Sequence, residues 1–158
     1  MPEPIEYRIV QSLQTALRGI SVAGGYHYDI ATLAVKLDPD VDVETLIGDT
    51  PLRPFVVLEV PPDQHAIKFA PNGVQITMPF LVHAVHDTDP TDDNSLAQTA
   101  YRLYADVEQA VLQDMRRGGL ALDTLVTTRQ VTKREGVLLW VTVTAQVRVV
   151  RTWGKPNG

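Results

Sequence analysis

The strongest constraint on this chain is a strict alternation near its C-terminus. Leu139, Val141, Val143, Ala145, Val147 and Val149 take every second position, and Trp140, Thr142, Thr144, Gln146 and Arg148 fill the gaps. Successive side chains of a strand point to opposite faces, so this stretch predicts one long strand with one face on an apolar core and a wetter reverse. Residues 125–133 also have strand character, and Arg134-Glu135-Gly136 between the two is a three-residue connection with glycine last, a favoured hairpin chemistry. A second alternation sets Val74, Ile76, Met78, Phe80, Val82 and Ala84 against Gln75, Thr77 and His83, predicting another half-buried strand. Pro79 lies inside it and has no N–H for a ladder, which predicts an edge position or a bulge there. Residues 54–60 hold the apolar run Phe55-Val56-Val57-Leu58 and predict a short buried strand, while 26–30 and 33–37 are shorter segments of strand character.

Two stretches switch to helical spacing. Ile5, Ile9, Val10, Leu13, Ala16, Leu17 and Ile20 form one stripe that ends at Gly19 and Gly24-Gly25. Leu96, Ala100, Leu103, Val107, Ala110 and Val111 form a second, longer one, with Asp93, Asn94 or Ser95 as its cap and Gly118-Gly119 as its end. Residues 38–53, with two prolines and five acids, read as a long surface loop containing one helical turn at 43–47. The expected fold class is α+β: an antiparallel or mixed sheet of about four to six strands with two main helices packed on one face. Residues 1–151 are expected to form a single domain, with 152–158 as an extended C-terminal tail.

Composition narrows the function classes. The 158 residues are 44% apolar, enough for one continuous core, and no cysteine is present for disulfides, thiolate nucleophiles or thiolate metal sites. With 14 Lys and Arg against 19 Asp and Glu, the net charge of -5 lacks the basic excess that dedicated nucleic-acid or anionic-membrane binding requires. The N-terminal residues are acidic where a secretory signal is basic, and no apolar run reaches the roughly 20 residues of a membrane span, so no membrane partner is expected.

No catalytic, metal or cofactor site is expected either. Of His27, His65, His83 and His86, only the last two are close in sequence, and on a strand they face opposite sides. Asp87, Asp89, Asp92 and Asp93 lack the glycine and the spacing of a calcium loop and read as solvated or capping acids. Gly24-Gly25 is too short to cradle a phosphate, and Ser12, Ser21 and Ser95 lie outside any nucleophile-elbow pattern. Two alternatives stay open: an assembly protein, and a small enzyme using a carboxylate loop with a metal.

Four features in order resemble the tail terminator, or tail-completion, proteins of long-tailed bacteriophages. They are the amphipathic first helix, Gly24-Gly25-Tyr26-His27-Tyr28-Asp29, Arg53-Pro54 opening a strand, and residues 103–112 followed by Gly118-Gly119-Leu120-Ala121. The resemblance implies a structural virion protein, made in the host cytoplasm and located at the head-proximal end of the tail. Such a protein forms a ring, a homohexamer, that caps the tail tube and joins it to the neck or head. Its implied partners are copies of itself, the tail tube protein and a neck or head-completion protein, with DNA only passing through the lumen. A neck or head-closure subunit is the alternative of the same class. An acidic or neutral lumen would repel DNA phosphates, although -5 also serves plain solubility.

Under that reading the expected self-assembly interface is the 38–53 loop, with Asp42, Glu44, Leu46, Asp49 and Arg53, together with the sheet edge. The segment 61–73 is expected to be a hairpin arm that meets a partner protein through His65, Ile67, Lys68 and Phe69, because it sets two apolar side chains among turn residues.

Overall fold

The computed structural model describes residues 3–30, 32–37, 40–48, 52–60 and 66–152. Its elements are α1 (Ile5–Arg18), β1 (Thr32–Lys36), α2 (Val43–Gly48), β2 (Phe55–Glu59), β3 (Ala66–Ala70), β4 (Gly73–Asp87), α3 (Asp93–Leu112), β5 (Asp123–Glu135) and β6 (Leu138–Thr152). The fold is α+β. One mixed six-stranded sheet runs in the order β1-β2-β4-β6-β5, with β3 pairing β4, and only β1 and β2 are parallel.

The alternating residues behave as their spacing demands. Val74 to Ala84 in even steps on β4 and Leu139 to Val149 in odd steps on β6 share one face, because the register sets Met78 opposite Val147 and Val82 opposite Val143. Val56 and Leu58 of β2 join that face, and α1 and α3 cover it through Ile9, Leu13, Leu17, Leu103, Val107 and Val111. The opposite face carries a second, smaller core at one end, where Val43 and Ile47 of α2 seal Phe55, Val57, Val85 and Trp140. The stretch expected as a surface loop therefore contains a lid, and β2 is apolar on both sides because both its faces are covered.

Pro79 sits in neither a bulge nor an outer strand: β4 runs through the sheet, and its register with β6 is unbroken from Gly73 to Asp87. On its other edge, however, β2 reaches only to Leu81 and β3 begins at Thr77. The proline falls in the notch between them, where a missing N–H costs no ladder bond. The β5–β6 turn differs by one residue from the expected connection. Glu135 pairs with Leu138, leaving Gly136-Val137 as a two-residue turn with Gly136 at φ 57°, the conformation that favours glycine.

Three further boundaries are corrected. Residues 26–30 are coil and not strand, α3 is capped by the Asp92 side chain accepting from Asn94 N at 3.0 Å, and α3 stops at Leu112 ahead of the glycine pair. The buried Arg117 side chain folds back there and donates to the carbonyls of Val111 and Asp114, satisfying acceptors that a helix end leaves open.

Candidate interaction surfaces

Two polar clusters and two apolar patches stand out. In the first cluster Asp106, on the buried stripe of α3 and 1% exposed, accepts hydrogen bonds from His27 N at 2.9 Å and Tyr28 N at 3.0 Å. His27 Nδ1 lies 2.8 Å from the same carboxylate, and Tyr26 Oη donates to Gln113 Oε1 at 3.3 Å. Tyr28 then packs edge-on against His86 at 4.8 Å between ring centroids. One buried carboxylate thus ties His27 and Tyr28 to α3. It joins two segments that lie 79 residues apart in the sequence.

The second cluster lies on the face opposite α1 and α3. Lys36 Nζ donates to Glu59 Oε2 at 3.1 Å, and Glu59 Oε1 is 3.1 Å from His83 Nε2. Trp140 Nε1 donates to His83 Nδ1 at 3.0 Å, and Thr142 Oγ1 is 2.9 Å from the same nitrogen. An indole N–H can only donate, so Nδ1 accepts, and the imidazole is neutral with its proton on Nε2, donated to Glu59. Burial holds the His83 pKa below its ordinary value, against the pull of Glu59. Burial alone would raise Glu59, but its hydrogen bonds from His83 and Lys36 outweigh this and lower it. A hydroxyl, an imidazole and a carboxylate in sequence resemble a nucleophilic relay. Thr142 is nonetheless 2% exposed and also bonded to the Thr132 hydroxyl, so its oxygen is held inside the packing. The relay acts as a polar seam beside the second core.

Of the residues expected at the self-assembly interface, Asp42 accepts from Glu44 N at 3.1 Å and starts α2, while Glu44 pairs with Lys133 of β5. Leu46 packs on the second core, and Arg53 bridges to Asp87 at the end of β4. These four therefore gather at one end of the sheet; Asp49 lies outside the described residues. Of the residues expected to meet a partner, Ile67, Lys68 and Phe69 lie on β3, which forms a hairpin with β4, and His65 lies outside the described residues. Phe69 is 74% and Ile67 55% exposed, and both stand on the helix-covered face beside Val74 and Ile76 but beyond the helices.

The other apolar patch was not anticipated. A groove of about 250 Å³ runs between α3 and the β5–β6 hairpin, lined by Leu96, Ala97, Ala100, Tyr101, Val131 and Leu139 among others. Tyr101 is 63% exposed, and Arg129 stacks near both Tyr101 and Tyr104 at 5.9 and 5.4 Å from their ring centres. Among the described residues no group of three metal-binding side chains gathers, and no helix is long and apolar enough to cross a membrane.

No protein-family model and no curated protein matches the chain. Among solved structures, a chain of the "Virion of native gene transfer agent (GTA) particle" superposes with a TM-score of 0.52 at 15% identity, covering 90% of this chain and 92% of that one. The likeness is one of fold, and it extends over nearly the whole length of both.

Proposed function

We propose that this chain is a structural subunit of a phage-like virion, that it closes into a ring, and that the ring caps the head-proximal end of a tail tube and joins it to the neck. The observation that carries this reading is the shared fold over 90% of the chain with a chain of a gene transfer agent virion. The build of the molecule supports it. Its two polar clusters hold loops and sheet together, whereas large apolar side chains, Phe69, Ile67 and Tyr101 among them, face outward. Surfaces of that kind serve contact between proteins. The contacts are assigned to the α2 end, with Asp42, Glu44, Leu46 and Arg53, and to the hairpin arm, with Ile67, Lys68 and Phe69.

Electron microscopy of the purified protein mixed with tail tubes, paired with light scattering across concentration, tests this. The expected result is a ring on one tube end and a mass several times 17.5 kDa. Rings that bind capsid necks and ignore tubes would move the subunit to head closure. A monomer at every concentration, with bare tubes, would refute the assembly role.

A further inference from the structure

We propose that His83 is a proton-operated latch for α2: a proton taken from solvent onto its Nδ1 expels the Trp140 indole and lifts the α2 lid off the second core. The consequence for assembly rests on the ring reading above, because Glu44 and Leu46 on α2 and Asp42 at its start belong to the contacts assigned there.

Geometry carries the argument. His83 is 5% exposed, and both its ring nitrogens are in use. Nε2–H donates to Glu59 at 3.1 Å, and Nδ1 accepts from Trp140 Nε1 at 3.0 Å. A second proton can go only to Nδ1, which then becomes a donor facing an indole N–H that can only donate. The ring therefore cannot be charged while Trp140 stays where it is. Thr142 Oγ1, 2.9 Å from Nδ1, is placed to accept the new N–H, and its own hydroxyl can turn to Thr132.

The charges facing His83 come from the strands around it and from the lid. Burial opposes the imidazolium most strongly, Glu59 on β2 favours it and Lys36 on β1 opposes it, and the balance lowers the pKa. Farther out, Lys133 of β5 is held between Glu44 of α2 and Glu135, and Asp87 at the end of β4 pairs with Arg53. Of these residue types only histidine changes charge between pH 5 and 8 at its ordinary value.

Trp140 converts the proton into movement. Its ring is sealed in the second core by Val43 and Ile47 of α2. A cleft of about 130 Å³ lies beside it between α2 and the β5–β6 hairpin, lined by Glu44, Ile47, Gly48, Lys133 and Leu138, so the expelled indole has a place to turn into. The six residues of α2 are too few to stay helical without their packing, so a displaced indole loosens the whole lid. The main core is spared, because α1 and α3 pack on the opposite face of the sheet.

Indole N–H signals in ¹H–¹⁵N spectra give the direct readout. The chain has two tryptophans, Trp140 and Trp153, and Trp153→Phe leaves one signal. It should leave its hydrogen-bonded position in a one-proton transition with a midpoint below 6.5. The Leu46 and Ile47 amides of α2, corrected for intrinsic exchange, should lose up to about tenfold in protection per pH unit over that range, while β4 and β6 keep theirs. His83→Gln offers Trp140 an amide oxygen at every pH and should abolish both changes. Glu59→Gln removes the charge that favours the imidazolium and should move the midpoint to lower pH, whereas a variant that merely weakens the fold would open at higher pH. An indole signal and α2 protection that stay constant until the whole sheet unfolds would overturn the latch. If α2 opens as expected while the oligomer mass by light scattering ignores pH, the latch stands and the assignment of ring contacts to the α2 end fails. A monomer at every pH sinks the ring reading alone.

Discussion

Removing the Asp106 carboxylate is the sharpest test of how the fold is held. Asp106→Ala deletes an acceptor that two backbone amides share at 2.9 and 3.0 Å, together with the 2.8 Å contact to the His27 ring. Hydrogen bonds to an ionised group contribute about 1.5 to 3 kcal/mol each. Because His27 is exposed and Tyr28 only half-buried, water replaces part of what is lost. The expected cost is accordingly about 2 to 3 kcal/mol, below the simple sum of two bonds. For a chain of this size that lowers the melting temperature by roughly 4 to 12 °C. Hydrogen exchange adds the decisive readout: the His27 and Tyr28 amides should lose protection, while those of β4 and β6 keep theirs once corrected for global stability. An unchanged denaturation midpoint with unchanged exchange at His27 would refute the clamp.

Leu103→Ala removes a fully buried side chain from the main core and should cost about 2 to 5 kcal/mol by chemical denaturation. Ile47→Ala should cost a similar amount, about 2 to 4 kcal/mol, because Ile47 seals the second core; a cost near zero would return α2 to the status of a surface loop. Stability should fall with acid in two steps. His83, held below its unfolded value of 6.5, resists a proton that the unfolded chain accepts, so stability declines as pH drops below about 6.5 at no more than about 1.4 kcal/mol per pH unit. Glu59, lowered from 4.5, contributes in full above that value and loses its contribution as pH falls below it and through the lower folded pKa. Denaturation midpoints of the protein and of His83→Gln at pH 7.5 and 5.5 check the first step, which the variant should flatten.

The periodic parts of the fold were legible because each periodicity has one geometric solution. An alternation of apolar and polar residues over β4 or β6 assigns every side chain to a face, and the two registers then match those faces with no freedom left. The second core escaped for a physical reason. Phe55-Val56-Val57-Leu58 is apolar without interruption, so it shows that both sides are covered but not by what, and six-residue α2 is too short to show a stripe. Residues 26–30 misled because their aromatic and branched side chains favour a strand, whereas their conformation is imposed by a carboxylate 79 residues away from His27.

That carboxylate was nonetheless marked in the sequence. Asp106 falls between Leu103, Val107 and Ala110 on the stripe that α3 buries, a position where an acid is tolerated only with partners of its own. An acid on a buried stripe therefore predicts a long-range acceptor role from spacing alone, although it names no donor. His83 shows the limit of the same logic, since on a half-wet strand face a polar residue is ordinary and only the tertiary neighbours Glu59 and Trp140 make it buried. Exposed apolar patches are the opposite case: Phe69 and Ile67 stood out as apolar residues in a turn-rich setting, while Leu96 and Ala100 looked like any helical stripe. A helix buries only as much of its stripe as its sheet can cover. The β5 edge leaves the start of the α3 stripe open, so the groove is visible only once the width of the sheet is known.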